Sequence, residues 1–180
     1  WAYCATLLTD MANATGRIKE AGEYRHLFND IKQAFAANLM KPDGTCGNGS
    51  QTSQVLSLQF NLVPDAQRAA AAKILADDIR KRGMKLSTGF LGTPYILDVL
   101  ADAGQMDVVE GLLTQTAYPS WGYMPVKGAT TMWERWNSYT GDRAMNSYNH
   151  YAFGAVGGFY DRRLAGIAPN GAGFRSLKIE

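Results

Sequence analysis

Two cysteines, two histidines and no long apolar run in 180 residues remove several function classes at once. Cys4 and Cys46 lack metal-ligand spacing and sit in apolar or Gly-rich contexts, so both are expected to be free, buried thiols. His26 and His150 are too far apart to form a metal site on their own, and no metal or cofactor is expected. No basic run argues for nucleic acid, and no acidic block argues for a disordered tail. No apolar stretch approaches the roughly 18 residues of a membrane helix. Gly47-Asn48-Gly49 and Gly171-Ala172-Gly173 do not follow a strand as a phosphate loop would. No G-x-S-x-G or calcium-loop pattern occurs, and nothing orders Ser, His and Asp into a triad.

What the chain does hold is helical periodicity. Hydrophobic residues make up 46% and aromatics 11%, enough for one domain with a real core, and the net charge is only +2. A first helix places Trp1, Ala5, Leu8, Met11 and Ala12 on one face and stops near Gly16. A second runs from about Glu20 to Met40 with the stripe Tyr24, Leu27, Phe28, Ile31, Phe35 and Leu39. His26 falls among its polar positions and reads as a surface residue. The third covers about Gln51 to Leu62, and the fourth runs from Ala66 to Arg82 behind Asp65 as cap. Thr93-Pro94 opens a fifth, since threonine caps and proline fits the first helical position. A sixth spans about Met106 to Gln115, and a seventh Ser147 to Leu164. Gly154, Gly157 and Gly158 in the seventh read as points of close helix approach.

Connections alternate between short turns and long loops, which suits a stack of antiparallel helical hairpins. That alternation gathers Lys41–Ser50, Met84–Gly92 and Tyr118–Asn146 at one end, where function is expected. An open solenoid and a closed (α/α) barrel both fit, and the lack of a fixed-period repeat lowers the solenoid. Phe174 to Glu180 alternates like a strand but has no evident partner strand. Both ends look cut, and neighbouring segments are expected beyond them. The compartment stays open.

The third loop carries the chemistry. It holds Trp121, Tyr123, Trp133, Trp136 and Tyr139, with Glu134 set between two tryptophans in Trp133-Glu134-Arg135-Trp136. Indole rings are platforms for the C–H face of a sugar or for a partner's side chain, and a carboxylate between them is poorly solvated. The alternative is that these rings pin the loop and Glu134 pairs with Arg135. Asn149-His150 opens the seventh helix near the same end, where an imidazole can exchange a hydrogen bond with a ligand hydroxyl.

Tyr118-Pro119-Ser120-Trp121-Gly122-Tyr123, Gly128 through Trp136, and Met145 through Gly157 resemble the bacterial α-L-rhamnosidases. So do Thr88 through Pro94 and, more loosely, Gln51-Thr52, so the resemblance spans nearly the whole chain. It implies an all-α fold, an incomplete (α/α)6 barrel of about seven helices over residues 1–166, with 167–180 leading towards a C-terminal β-sandwich. It also implies hydrolysis of terminal α-L-rhamnose from a rhamnose-containing oligosaccharide or glycoside, with inversion. Glu134 matches the family's general base, and His150 matches a sugar-contacting histidine. Trp133, Trp136, Thr88 and Gly89 are implied near the pocket. Asn137 departs from the family's aspartate, and Gly158 from a larger residue. Nothing here matches the general acid, which the family carries upstream, so the chain alone is expected to be inactive. A non-catalytic carbohydrate-binding helical domain would use the same tryptophans without needing Glu134, and a helical protein-interaction module is the third class.

Overall fold

Small side chains decide how the first two helices meet. In the computed structural model, which describes residues 1–138 and 147–180, α1 (Ala2–Ala14) buries Ala2, Ala5, Thr9 and Ala12 at helical spacing. That face packs on α2 (Ile18–Leu39), where Ala21 is buried. The Thr9 hydroxyl donates to Ala5 O at 2.9 Å, so its burial strands no polar group. The expected inward face of α1 is therefore corrected: Trp1 is 95% exposed, and Leu8 and Met11 are exposed too. The helices are joined by only Thr15–Arg17, with Gly16 at φ +72°, and so tight a turn brings them together where alanine fits and leucine does not. On α2, Leu27 and Leu39 are exposed, while Tyr24, Phe28, Ile31 and Phe35 are half-buried.

α3 (Gln51–Gln59) starts at Ser50, whose hydroxyl accepts from Ser53 N, and α4 runs Asp65–Lys81. Gln54 joins them. Its Oε1 accepts from Cys46 N at 2.6 Å, and its Nε2 donates to Gly44 O at 3.3 Å and Ala71 O at 3.1 Å. One buried amide thus ties the 41–50 loop to both helices. Gly44 has φ +96° and lies so close to α4 that a Cβ would sit 3.0 Å from Ala71 N. Cys46 is buried, as expected, and burial raises its thiol pKa. Cys4 is exposed, because it lies off the small-residue stripe of α1, which corrects the expectation of two buried thiols.

The chain forms two compact units, Trp1–Asp78 and Ile79–Glu180, with the boundary inside α4. In the second, α5 (Thr93–Asp102) and α6 (Met106–Thr114) make a hairpin that buries Ile96, Leu97, Leu100, Val108, Val109 and Leu112. α5 begins at Thr93 as expected, but Gly92 occupies the cap position and the Thr93 hydroxyl turns to Thr88. A single-turn α7 (Tyr123–Val126) lies in the long loop that follows.

The seventh helix begins later than its periodicity predicts and is broken. Residues 147–150 are not helical: Glu134 N donates to Ser147 O at 2.9 Å and His150 N to Met132 O at 2.8 Å, so this stretch runs beside 132–134. Helix follows only in α8 (Tyr151–Gly154), α9 (Val156–Phe159) and a π-helical turn over Tyr160–Leu164. α8 and α9 pack on α5. The close-approach reading of the glycines fails: a Cβ at Gly157 meets nothing within 4 Å, and at Gly154 only Met132 at an ordinary 3.8 Å. At Gly158 it would strike the Arg162 guanidinium, 2.7 Å away. Arg162 and Arg163 both reach Asp98 on α5, at 2.8 and 2.9 Å, and Arg163 also reaches Asp102 at 2.5 Å.

Past the π-helical turn, β1 (Ile167–Pro169) pairs antiparallel with β2 (Leu177–Ile179). The alternating C-terminal segment therefore has a partner strand, contrary to expectation. Ile167–Pro169 precedes a turn rich in Gly and Asn, and three residues are too few to read as a strand from alternation alone.

Candidate active site

The long loop is held by its own tryptophans. Trp121 Nε1 donates to Phe153 O at 2.9 Å, and Trp136 Nε1 donates to Thr88 O at 3.1 Å. The Trp136 ring lies on Phe153, centroids 3.8 Å apart and planes 11° from parallel, while Trp121 meets Trp136 edge-on. Trp133 is 1% exposed. Trp121 and Trp133 therefore act as pins, and only Trp136 also borders open space. Tyr139 lies outside the described residues.

These contacts hold a cleft of about 360 Å3 within the second unit. The loop contributes Glu134, Arg135, Trp136 and Asn137. The Met84–Gly92 loop contributes Gly89 and Phe90, and Tyr118 and Phe153 complete the lining. Two of the three long loops, Met84–Gly92 and Tyr118–Asn146, thus meet in one cleft, as the alternation of connection lengths predicts for that pair.

Glu134 is fixed through both backbone and side chain. Beyond the backbone bond to Ser147 O, its carboxylate accepts from Ser147 N at 2.6 Å. One carboxylate oxygen is thereby engaged by the same residue that takes the backbone N–H, so the group cannot swing without breaking the pairing of 132–134 with 147–150. The Thr131 hydroxyl donates to Tyr148 O and extends that pairing.

His150 caps α8, and its Nδ1 accepts from Ala152 N at 3.2 Å. A neutral ring in that setting carries its proton on Nε2, which leaves Nε2 as a donor. Phe90 stacks on the imidazole at 4.7 Å and 15°, and Tyr151 on it at 5.0 Å and 15°. His150 borders the cleft through Phe90, which also touches Phe153 edge-on at 5.7 Å. Thr88 is buried, its hydroxyl 2.8 Å from that of Thr93 and its carbonyl taken by Trp136, so it stands behind Gly89.

Of the residues expected at the site, Gly89, Glu134 and Trp136 line the cleft, His150 adjoins it, and Thr88 and Trp133 lie beneath. Sequence reasoning missed Phe90, Tyr118 and Phe153 as lining residues and Ser147 as the partner of Glu134. Aromatic residues at two loop positions and at one position in a short helix are the available signal. His26, as expected, is exposed.

A family model described as the bacterial alpha-L-rhamnosidase six-hairpin glycosidase domain matches residues 1–164. An alpha-L-rhamnosidase of Streptomyces avermitilis is 47% identical over 99% of this chain and 18% of its own length. One from Formosa agariphila is 38% identical over 99% of this chain and 20% of its own length. The chain thus spans about a fifth of the length of these curated relatives. Among solved structures, the S. avermitilis alpha-L-rhamnosidase complexed with L-rhamnose superposes with a TM-score of 0.92 at 46% identity, covering 98% of this chain and 17% of that one. The Aspergillus terreus enzyme gives 0.94 at 32% identity, covering 99% of this chain and 21% of that one. The all-α reading, part of an (α/α) barrel of helical hairpins, is the fold of these relatives. With its model matched over almost the full length, the chain belongs to the bacterial α-L-rhamnosidase six-hairpin glycosidase domain family.

Proposed function

We propose that this chain carries the general-base side of an inverting α-L-rhamnosidase, within a longer protein that removes terminal α-L-rhamnose from oligosaccharides or glycosides. The observation that supports it is the placement of Glu134: a carboxylate on the wall of an aromatic cleft, held by Ser147 N at 2.6 Å. In the proposed reaction Glu134 takes a proton from water as that water attacks C1. The glycosidic oxygen leaves on the opposite face, protonated by a second carboxyl group roughly 6.5–9.5 Å away. That acid, and the acidic residues gripping the sugar hydroxyls, are proposed to lie upstream of this chain. His150 offers Nε2 to a sugar hydroxyl, and Trp136 and Gly89 line the sugar's seat. Thr88 and Trp133 hold that seat from behind. Residues 1–166 are read as part of the catalytic barrel, and 167–180 as leading into a β-sandwich.

The test is Glu134→Gln in the full-length protein, assayed with p-nitrophenyl α-L-rhamnoside. Loss of turnover by about 10²–10⁴-fold is expected, with sugar binding retained, because the substitution removes the base and keeps the shape. Unchanged turnover would exclude Glu134 as the base. Loss of binding together with turnover would assign it to the ligand contact that a sugar-binding domain needs. The first-formed anomer, followed by NMR, should be β-L-rhamnose. The 180-residue chain alone should not turn over.

A further inference from the structure

Both bonds that join Glu134 to Ser147 use the backbone of the serine. Glu134 N donates to Ser147 O at 2.9 Å, and Ser147 N donates to Glu134 Oε2 at 2.6 Å. The serine side chain is engaged elsewhere. Its hydroxyl donates to Asn149 O at 3.1 Å and accepts from Asn149 N at 3.2 Å, which bends 147–149 into a turn. Ser147, Tyr148 and Asn149 are all exposed, so burial does little to shape this turn and its hydrogen bonds set its course. The carboxylate is thereby divided: Oε2 is held, while Oε1 accepts no hydrogen bond among the described residues. His150 is secured separately, through its N–H to Met132 O, its Nδ1 cap on Ala152 N and the stacking of Phe90 and Tyr151.

Resting on the reading of Glu134 as the base, we propose that Ser147 is its positioning residue: the Ser147 N–H holds Oε2 so that Oε1 faces the water, and the Ser147 hydroxyl keeps the turn that aims this N–H. In that step a water O–H bond breaks and its proton passes to Oε1. The oxygen's electron pair forms the new bond to C1, and the C1–O bond to the leaving group breaks with its electrons on the glycosidic oxygen, which the second carboxyl group protonates. A carboxylate held by one oxygen keeps its distance and angle to the water, and a displacement of about 1 Å costs about 10²-fold in rate. Ser147 touches neither water nor sugar in this scheme. Because His150 is secured by other contacts, loss of the hydroxyl should reach the chemical step and leave sugar binding alone.

The experiment measures kcat and KM for p-nitrophenyl α-L-rhamnoside in the full-length protein, as wild type, Ser147→Ala, Ser147→Thr, Glu134→Gln and the Glu134→Gln/Ser147→Ala double variant. Ser147→Ala should lower kcat by about 10–10²-fold with KM and melting temperature unchanged. Ser147→Thr keeps the hydroxyl and should restore most of that loss. In the Glu134→Gln background Ser147→Ala should cost nothing further, because residues that act through one group are not additive. An unchanged kcat in Ser147→Ala, or a threonine that restores nothing, overturns the positioning role. So does an equal loss with and without the Glu134 carboxylate, or a Ser147→Ala protein that does not fold, since either marks a structural role. All these outcomes leave the base reading standing, whereas wild-type turnover in Glu134→Gln removes the base and the positioning role together.

Discussion

Trp136 lies flat on Phe153, with ring centroids 3.8 Å apart. This contact joins the loop that carries Glu134 to the helix that follows His150, and Phe153 also offers its carbonyl to Trp121 Nε1. The two halves of the proposed site are thus fixed by one phenylalanine.

Phe153→Ala should therefore cost about 3–5 kcal/mol, the usual penalty for emptying a buried phenylalanine position. In the full-length protein the melting temperature should fall, and tryptophan emission should shift red as Trp136 loses its cover. Phe153→Leu should recover most of the stability but not the stacking. A Phe153→Ala protein with unchanged melting and emission would show that the loop is held by other contacts.

Gln54 carries the same kind of weight in the first unit. Its amide accepts from Cys46 N and donates to Gly44 O and Ala71 O, all buried, so Gln54→Leu strands the Cys46 N–H and takes one bond from each carbonyl. Leaving that buried N–H unsatisfied should cost about 1–3 kcal/mol. Cys46 supplies a local readout. Of the two thiols, the exposed Cys4 should react fast in the wild type, while Cys46 should react only on unfolding. Gln54→Leu should make Cys46 reactive under native conditions. Equal protection of Cys46 in both proteins would mean that the 41–50 loop does not depend on Gln54.

The same thiol fixes a sign for alkaline pH. Burial raises the folded pKa of Cys46 above its unfolded value near 9.0. The group therefore contributes stability in full below that value and loses it as pH rises through the folded pKa. Unfolding midpoints compared between wild type and Cys46→Ala should converge on raising the pH beyond 9. A gap that widens instead would contradict the assigned direction.

What was legible in the sequence was periodicity and motif; what escaped was contact between distant segments. Six helices fell near their predicted places because apolar spacing and Gly, Pro or Ser boundaries are local signals. The inward face of α1 did not, because periodicity cannot distinguish a leucine stripe from an alanine stripe when a tight turn selects the smaller one. The seventh helix starts later than its spacing predicts because residues 147–150 are drawn into pairing with 132–134, a competition invisible to helical periodicity. Glu134, Trp136 and Gly89 were found through motif. Phe90 and Tyr118 were not, since their place in the cleft follows from three separate segments meeting there.

Two glycines test whether space or contact governs the site. At Gly122 a Cβ would lie 2.5 Å from Gln115 O, a backbone atom that cannot yield cheaply. Gly122→Ala should therefore destabilise by about 1–3 kcal/mol, as overpacking does, and lower activity only through lost folded protein. Gly89 lines the cleft, its φ lies outside the left-handed region, and a Cβ there meets nothing within 4 Å. Gly89→Ala should change stability by no more than about 0.5 kcal/mol, the range for a substitution that breaks no contact. The added methyl instead occupies space offered to the sugar, so KM for the rhamnoside should rise while the melting temperature holds. A Gly89→Ala protein with unchanged KM would place the sugar away from this wall, and the assignment of Gly89 to its seat would have to be dropped.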